Sequence, residues 1–255
     1  MSFAGKVVIV TGASTGIGAT TAEAFAKLSA KVVLVGRNEA KLRSTAAACK
    51  LANKEAEELI ITADVTTKAE FIINSTIQKF GQLDVLVNNA GIFYGGNILN
   101  IDVEQFDKIL NTNLRSVFLL TKYAAPHLVK AQGNIVNVSS VAGLRSFPDV
   151  SVYCTSKAAL DQFTRCVALD LAPKNVRVNA VNPGVIATDI QIRNGVTEEE
   201  YADYLEKCKE THPLGCVGTT KEVADAIIFL ASESSTFITG ATLSVDGGKH
   251  ALCPH

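Results

Sequence analysis

The stretch KVVIVTGASTGIGATTAEAFAKL, residues 6–28, decides the reading of the fold. Its first five residues form a short, mostly β-branched run that ends at a glycine turn, and they read as a strand. Its last ten carry alanine, phenylalanine and leucine among polar residues and read as a helix. Between the two, Gly12, Gly16 and Gly18 make a G-x-x-x-G-x-G turn. A strand, a glycine turn and a helix in that order can cradle a phosphate. Glycine lets the backbone turn tightly and approach an anion, and the helix amino end offers free N–H groups and a positive dipole end. The spacing departs by one residue from the G-x-G-x-x-G dinucleotide fingerprint.

The same alternation runs outward through the chain. Strands are expected at Val7 to Thr11, Lys31 to Gly36, Glu58 to Ala63, Val85 to Asn88, Asn134 to Ser139, Val176 to Val181 and Thr242 to Val245. Their near-continuous Val, Ile and Leu character fits strands covered on both faces. Between them, segments such as 67–81 and 151–172 carry helix-spaced apolar positions. Right-handed crossovers would assemble these into a three-layer, doubly wound α/β fold with a seven-stranded parallel sheet, its ligands outside the carboxyl ends of the strands. No Pro/Gly/Ser-rich linker divides the 255 residues, so one domain spanning 1–255 is expected.

Composition sets limits on function. With 24 basic and 25 acidic residues, the formal net charge of -1 gives no general electrostatic reason to expect nucleic acid or an anionic membrane as partner. No apolar run approaches the roughly 18 residues of a membrane span, and MSFAGKVVIV lacks the apolar core of a secretory signal, so a cytoplasmic protein is expected. Cys49, Cys154, Cys166, Cys208, Cys216 and Cys253 are dispersed and read as reduced thiols. Neither they nor His127, His212, His250 and His255 have metal-ligand spacing, and no metal is expected.

The candidate chemistry lies in Ser140, at the end of NIVNVSS, and in Tyr153 and Lys157 of SVYCTSKAAL. Reducing a ketone requires an acid for the developing alkoxide, and oxidising an alcohol requires the same group as a base. A phenol can do both when a Lys ammonium one helical turn away lowers its pKa from near 10. Ser140 would donate a hydrogen bond to the substrate oxygen. A Tyr-x-x-x-Lys pair alone is common in helices without chemistry; the glycine turn upstream gives it weight.

Together these residues resemble the short-chain dehydrogenase/reductase family in its single-domain form, nearly end to end, and the resemblance implies a Rossmann fold. Thr11 to Gly18, including Gly12, Ser14, Thr15, Gly16, Ile17 and Gly18, resembles the family's cofactor loop. Asp64-Val65 resembles its adenine-contacting pair, and Asn88-Asn89-Ala90-Gly91 its NNAG signature. Asn113, in NTNLRSVF, matches the helix-bending Asn that completes a catalytic tetrad with Ser140, Tyr153 and Lys157. Asn182-Pro183-Gly184, followed by Val185, Ile186 and Thr188, resembles the segment that holds the nicotinamide carboxamide.

The resemblance implies that Tyr153 protonates the substrate oxygen as hydride arrives, that Lys157 also holds the nicotinamide ribose, and that Asn113 holds a water linking Lys157 to solvent. It also implies a homotetramer or homodimer. The apolar helices expected around Val103 to Leu128 and Val152 to Leu171 could then meet a partner as well as the sheet.

Cofactor choice is argued from the end of the second strand. A carboxylate there would accept the ribose 2′-hydroxyl of NAD(H) and repel a 2′-phosphate. This chain has Gly36 and Arg37 instead, with no acid before Glu39, so NADP(H) is expected over NAD(H), and Asn38 or Ser14 could share the phosphate. Thr15 stands where NADP-preferring relatives often carry a second basic residue.

Residues 188–218 fall where the family carries a variable substrate lid, and the acidic run Glu198 to Glu200 reads as the first turn of a solvated helix. Val141, Ala142, Leu144, Phe147, Phe93, Tyr94, Val185 and Ile190 are mostly apolar, which suits a hydrophobic or medium-sized ketone, whether steroid-like, diketone or 3-oxoacyl. The Pro213-Leu214-Gly215 and Val245-Asp246-Gly247-Gly248 stretches resemble the 3-oxoacyl-carrier-protein reductase branch, in which Lys130 and Lys174 could receive an acidic carrier. An NADPH-binding sensor without turnover is the alternative class.

Overall fold

A computed structural model of the protein describes residues 1–188 and 197–252. Ile190, Cys253, His255 and the stretch 189–196 of the expected lid lie outside the described residues. The strands are β1 Val7–Thr11, β2 Lys31–Gly36, β3 Glu58–Thr62, β4 Val85–Asn88, β5 Asn134–Val138, β6 Arg177–Pro183 and β7 Thr242–Val245. They form one sheet in the order β3-β2-β1-β4-β5-β6-β7, and every pairing is parallel. From β1 the chain winds first toward β3 and then, from β4, toward β7. The reversal leaves a crevice at the carboxyl ends of β1 and β4.

Successive strand residues face opposite layers. Val8, Val10, Val32, Leu34, Val85 and Val87 pack on one side with Phe25 of helix α1 (Gly16–Lys27), Leu42 of α2 (Glu39–Ala52) and Ile227 of α8 (Thr220–Ala231). Val7, Ile9, Val33, Val35 and Leu86 pack on the other with Ile72 of α3 (Ala69–Phe80), Leu120 of α5 (Ser116–Ala131) and Ala168 of α6 (Ser151–Leu171). Both faces of the sheet are therefore covered, as the unbroken apolar runs require.

Four boundaries differ from the sequence expectation. Strands β3 and β5 each end one residue early, at Thr62 and Val138. Strand β6 starts at Arg177, because the Val176 N–H closes the preceding helical turn on Leu171 O, and it runs to Pro183 because β7 pairs with it that far. The helical stretch around Val103 to Leu128 bends at Asn113, as the resemblance implied: α4 (Val103–Leu110) passes into a π-helical turn, Asn111–Arg115, before α5 begins. The cause is at Asn113, whose amide clasps the Ile92 backbone in both directions, accepting from its N–H and donating to its carbonyl, each at 2.9 Å.

Buried polar side chains tie the central strands to the helix that carries Tyr153 and Lys157. Asn88 donates to Asn137 (2.9 Å), and Asn137 donates to Thr164 of α6 (2.8 Å). In that environment a buried amide pair fixes one register more sharply than apolar packing does.

Candidate active site

The glycine turn is held open by its neighbours. Gly12 and Gly16 have φ values of +65° and +58°, a region that L side chains avoid. A Cβ on Gly18 would stand 2.3 Å from the Gly12 carbonyl oxygen. Gly18 is thus needed for the approach of α1 to the turn, and it does not line the cavity. No side chain caps the first turn of α1 at Thr15, and no acidic residue lies in that turn. Its N–H groups are left to whatever fills the cavity. Thr11 binds the next strand end to this turn, its hydroxyl accepting from the N–H groups of Asn89 (2.9 Å) and Ala90 (3.0 Å).

A cavity of about 630 Å³ opens over the crevice. One end is lined by Gly12, Ser14, Thr15, Gly16, Ile17, Gly36, Arg37, Asp64 and Val65. The other is lined by Ser140, Tyr153, Lys157 and the Pro183–Ile186 loop, with Asn89, Ala90 and Gly91 between the two. Arg37 is exposed at the rim beside Gly36. Burial works to raise the Asp64 carboxyl, but hydrogen bonds from Thr66 and the nearby Arg37 outweigh it and hold the group below its usual range. Asn38 lies off the cavity. Its side-chain oxygen caps α2 by accepting from the Lys41 N–H at 3.0 Å.

At the chemical end, Ser140 Oγ accepts from the Ala142 N–H (3.1 Å) in the turn that follows β5. Tyr153 and Lys157 project from the same face of α6, with the Lys157 ammonium 5.7 Å from the phenol ring centroid. The lowering of the Tyr153 pKa expected from Lys157 is absent in the protein alone. Burial pushes the phenol up to about 12, and a hydrogen bond from Ser140 recovers only part of that. Burial also brings Lys157 down to about 8, against the favourable charge of Asp161, and its Nζ donates to Val138 O (2.9 Å). Burial therefore decides both shifts. Asn113 lies behind the cavity wall; its Nδ2 also donates to Ser156 (3.2 Å), so its side chain is committed to Ile92 and Ser156.

The residues gathered here match known proteins over nearly the whole chain. The family model described as enoyl-(acyl carrier protein) reductase, of the short-chain alcohol dehydrogenase type, covers residues 12–250. An uncharacterized oxidoreductase of Thermotoga maritima is 41% identical over 99% of this chain and 100% of its own length. The 3-oxoacyl-[acyl-carrier-protein] reductase FabG of the same organism is 36% identical over 97% and 99%. Trans-4-hydroxycyclohexanecarboxylate dehydrogenase of Sinomonas cyclohexanicum is 35% identical over 96% and 93%. Among solved structures, a short-chain dehydrogenase/reductase of unknown function from Caenorhabditis elegans, with cofactor, is 38% identical. It superimposes with a TM-score of 0.93 over 98% of this chain and 97% of that one. The chain is a short-chain dehydrogenase/reductase. It is an NAD(P)-dependent oxidoreductase of a family acting on carbonyl and alcohol substrates.

Several residues of this dehydrogenase/reductase site escape a reading by motif. Asp161, one turn beyond Lys157, is buried and accepts from Asn182 Nδ2 (2.9 Å), which also donates to Ser140 O (2.9 Å). Asp161 thus anchors the backbone that presents Ser140. Its only sequence signal is an acid at a core-facing helix position. Buried His212 joins helix α7 (Glu198–Glu210) to the loop after β6: Nδ1 meets Cys208 O at 2.6 Å, and Nε2 accepts from the Val185 N–H at 3.2 Å.

Helix α7 does start at the acidic run, as expected, and it brings Tyr201 and Tyr204 to the cavity. Phe93, Val141, Ala142, Phe147 and Val185 line the cavity; Tyr94 and Leu144 do not. Lys249, from the turn after β7, lines it as well. Burial pushes the Cys49 thiol up to about 12, which makes it unreactive. Among the described residues, no group of three or more His, Cys, Asp or Glu could hold a metal, and no helix is long and apolar enough to cross a membrane.

Proposed function

We propose that this protein interconverts a ketone and its secondary alcohol with NADP(H), Tyr153 serving as the proton donor and acceptor. The observation that carries the reading is the convergence of an uncapped glycine-turn helix and the Ser140, Tyr153 and Lys157 side chains on one cavity. The residues fit a nicotinamide dinucleotide. The α1 amino end suits its pyrophosphate, Asp64 and Val65 flank the adenine end, and Lys157 with Val185 to Thr188 would hold the nicotinamide half. When bound, the nicotinamide supplies or takes the hydride.

Tyr153, neutral across the physiological range, is ready to protonate a developing alkoxide. Ser140 steadies that oxygen, and Asn113 shapes the wall behind Lys157 through the π-helical turn. Arg37 beside Gly36, with the Asp64 carboxylate already engaged by Thr66, favours a 2′-phosphate over a bare ribose.

Residues 1–255 act as one domain, with 188–218 as a lid whose Tyr201 and Tyr204 close over the substrate. The substrate is a hydrophobic or medium-sized ketone, in line with the aromatic lining and with the FabG and cyclohexanecarboxylate relatives. Exposed Phe118 (46%) and Leu169 (76%) on α5 and α6 suit a homodimer or homotetramer.

Loss of NADPH absorbance, with NADH in parallel, across alicyclic ketones, diketones and 3-oxoacyl thioesters tests the reading. Turnover with NADPH preferred is expected, and Arg37→Asp should reverse the preference by about two orders of magnitude, a shift of about 3 kcal/mol. Tight NADPH binding with no turnover of any ketone would instead favour a sensor.

A further inference from the structure

The substrate end of the cavity is lined by apolar and aromatic groups, Phe93, Phe147, Pro148, Val150 and Tyr204, and besides Lys157, which pairs with Val138 O, it carries the ammonium of Lys249. The turn carrying Lys249 is firmly built. Gly247 and Gly248 have φ values of +58° and +87°, and the Asp246 carboxylate takes the N–H groups of Gly248 (3.1 Å) and His250 (2.7 Å) as well as His250 Nδ1 (2.9 Å). Asp246 is therefore occupied within its own turn. Among the described residues, no carboxylate lies within salt-bridge distance of Lys249 Nζ. Its contacts there are a hydrogen bond to Thr211 Oγ1 (2.9 Å) and the face of the Phe147 ring, 5.4 Å from the centroid. An ammonium has three N–H donors, and Thr211 uses one. Among the described residues, the only acid lining the cavity is Asp64, at the far end. Burial lowers the Lys249 pKa and outweighs the opposing influence of Cys208 and of the Asp246 charge, the mark of a partly desolvated cation.

Such a cation in an aromatic-walled pocket calls for an anion on the ligand. A single ammonium suits a monoanion better than a phosphate dianion, which would need several donors. On the ketone-reductase reading above, we infer that Lys249 is a specificity determinant for ketones that carry a carboxylate.

The test compares 4-oxocyclohexanecarboxylate with its neutral carboxamide as substrates of the full-length protein. The carboxylate should have a kcat/KM at least about tenfold higher, the contribution of one charge-assisted contact. In Lys249→Met the ratio should fall to near one, in Lys249→Arg it should persist, and in Lys249→Glu a 4-(dimethylamino)cyclohexanone cation should become the better substrate. Equal turnover of carboxylate and carboxamide by the wild type would overturn the inference and leave the reductase reading standing. So would reduction of other ketones but not of this acid, or a Lys249→Met variant that loses activity on both compounds alike. Silence on every ketone with either cofactor would remove the reductase reading and this inference with it.

Discussion

The two ends of the cavity are built from different materials. The end beneath β1 and β2 is mostly backbone: a glycine turn, an uncapped helix start and a strand end without a side chain at Gly36. The end beneath β5, β6 and β7 is made of side chains drawn from residues 93 to 249, among them Tyr153, Lys157, Tyr204 and Lys249. A backbone site cannot be changed without disturbing the fold that forms it, whereas a side-chain site can lose its chemistry and keep its shape. The first suits a ligand common to a whole family, and the second suits whatever distinguishes one member from another.

The largest expected effect sharpens this contrast at the side-chain end. Tyr153→Phe should lower kcat on the order of 10³-fold, about 4 kcal/mol of barrier, while cofactor affinity and melting temperature stay close to wild type. With the phenol near 12 and therefore protonated, below pH 9 ketone reduction by the wild type should not fall through loss of the Tyr153 proton, whereas alcohol oxidation, which needs the phenolate, should rise with pH. A Tyr153→Phe protein that had also lost cofactor binding would break the comparison.

Gly18→Ala probes the other end. Its Cβ would meet the Gly12 carbonyl oxygen at 2.3 Å, so the turn and helix must separate, at a cost of about 3 kcal/mol. Stability and cofactor affinity should fall together, as read by chemical denaturation and by cofactor titration. A variant with unchanged stability and reduced affinity would mean that the backbone end is less integral to the fold than the contrast holds.

The smallest effect on stability is at Lys157, which lies between the two. Its folded pKa of about 8 is below its unfolded value near 10.4. Between those values the unfolded chain binds more protons, so this group makes stability rise as pH increases through that window, and its burial is unfavourable below it. Lys157→Met should therefore be inactive yet more stable at pH 7 by on the order of 2 kcal/mol. That difference should shrink toward pH 10, which denaturation at the two pH values would measure. A gain independent of pH would assign it to packing alone.

The strands were legible because a run such as VVIV has no partner but a core on each face, and the glycine turn because three glycines between a strand and a helix have few other uses. The Tyr153 and Lys157 pair was legible because four residues on a helix is a fixed geometry. Less could be read where partners come from afar. The π-helical turn depends on Asn113 reaching Ile92, and the anchoring of Ser140 on Asp161 and Asn182. The charge at the substrate end depends on a turn that follows the last strand. Asn38 reads equally as a phosphate contact or a helix cap until the start of α2 is seen.

Local pattern thus determined the layers, the strand order class, the glycine turn and the placing of Tyr153 and Lys157 on one helix face, because each rests on dihedral preference and on spacing within one element. Tertiary structure decided the pKa balance at Tyr153 and the placing of Lys249 over Phe147. Burial and through-space charge depend on which distant segments meet, and no spacing along the chain records that.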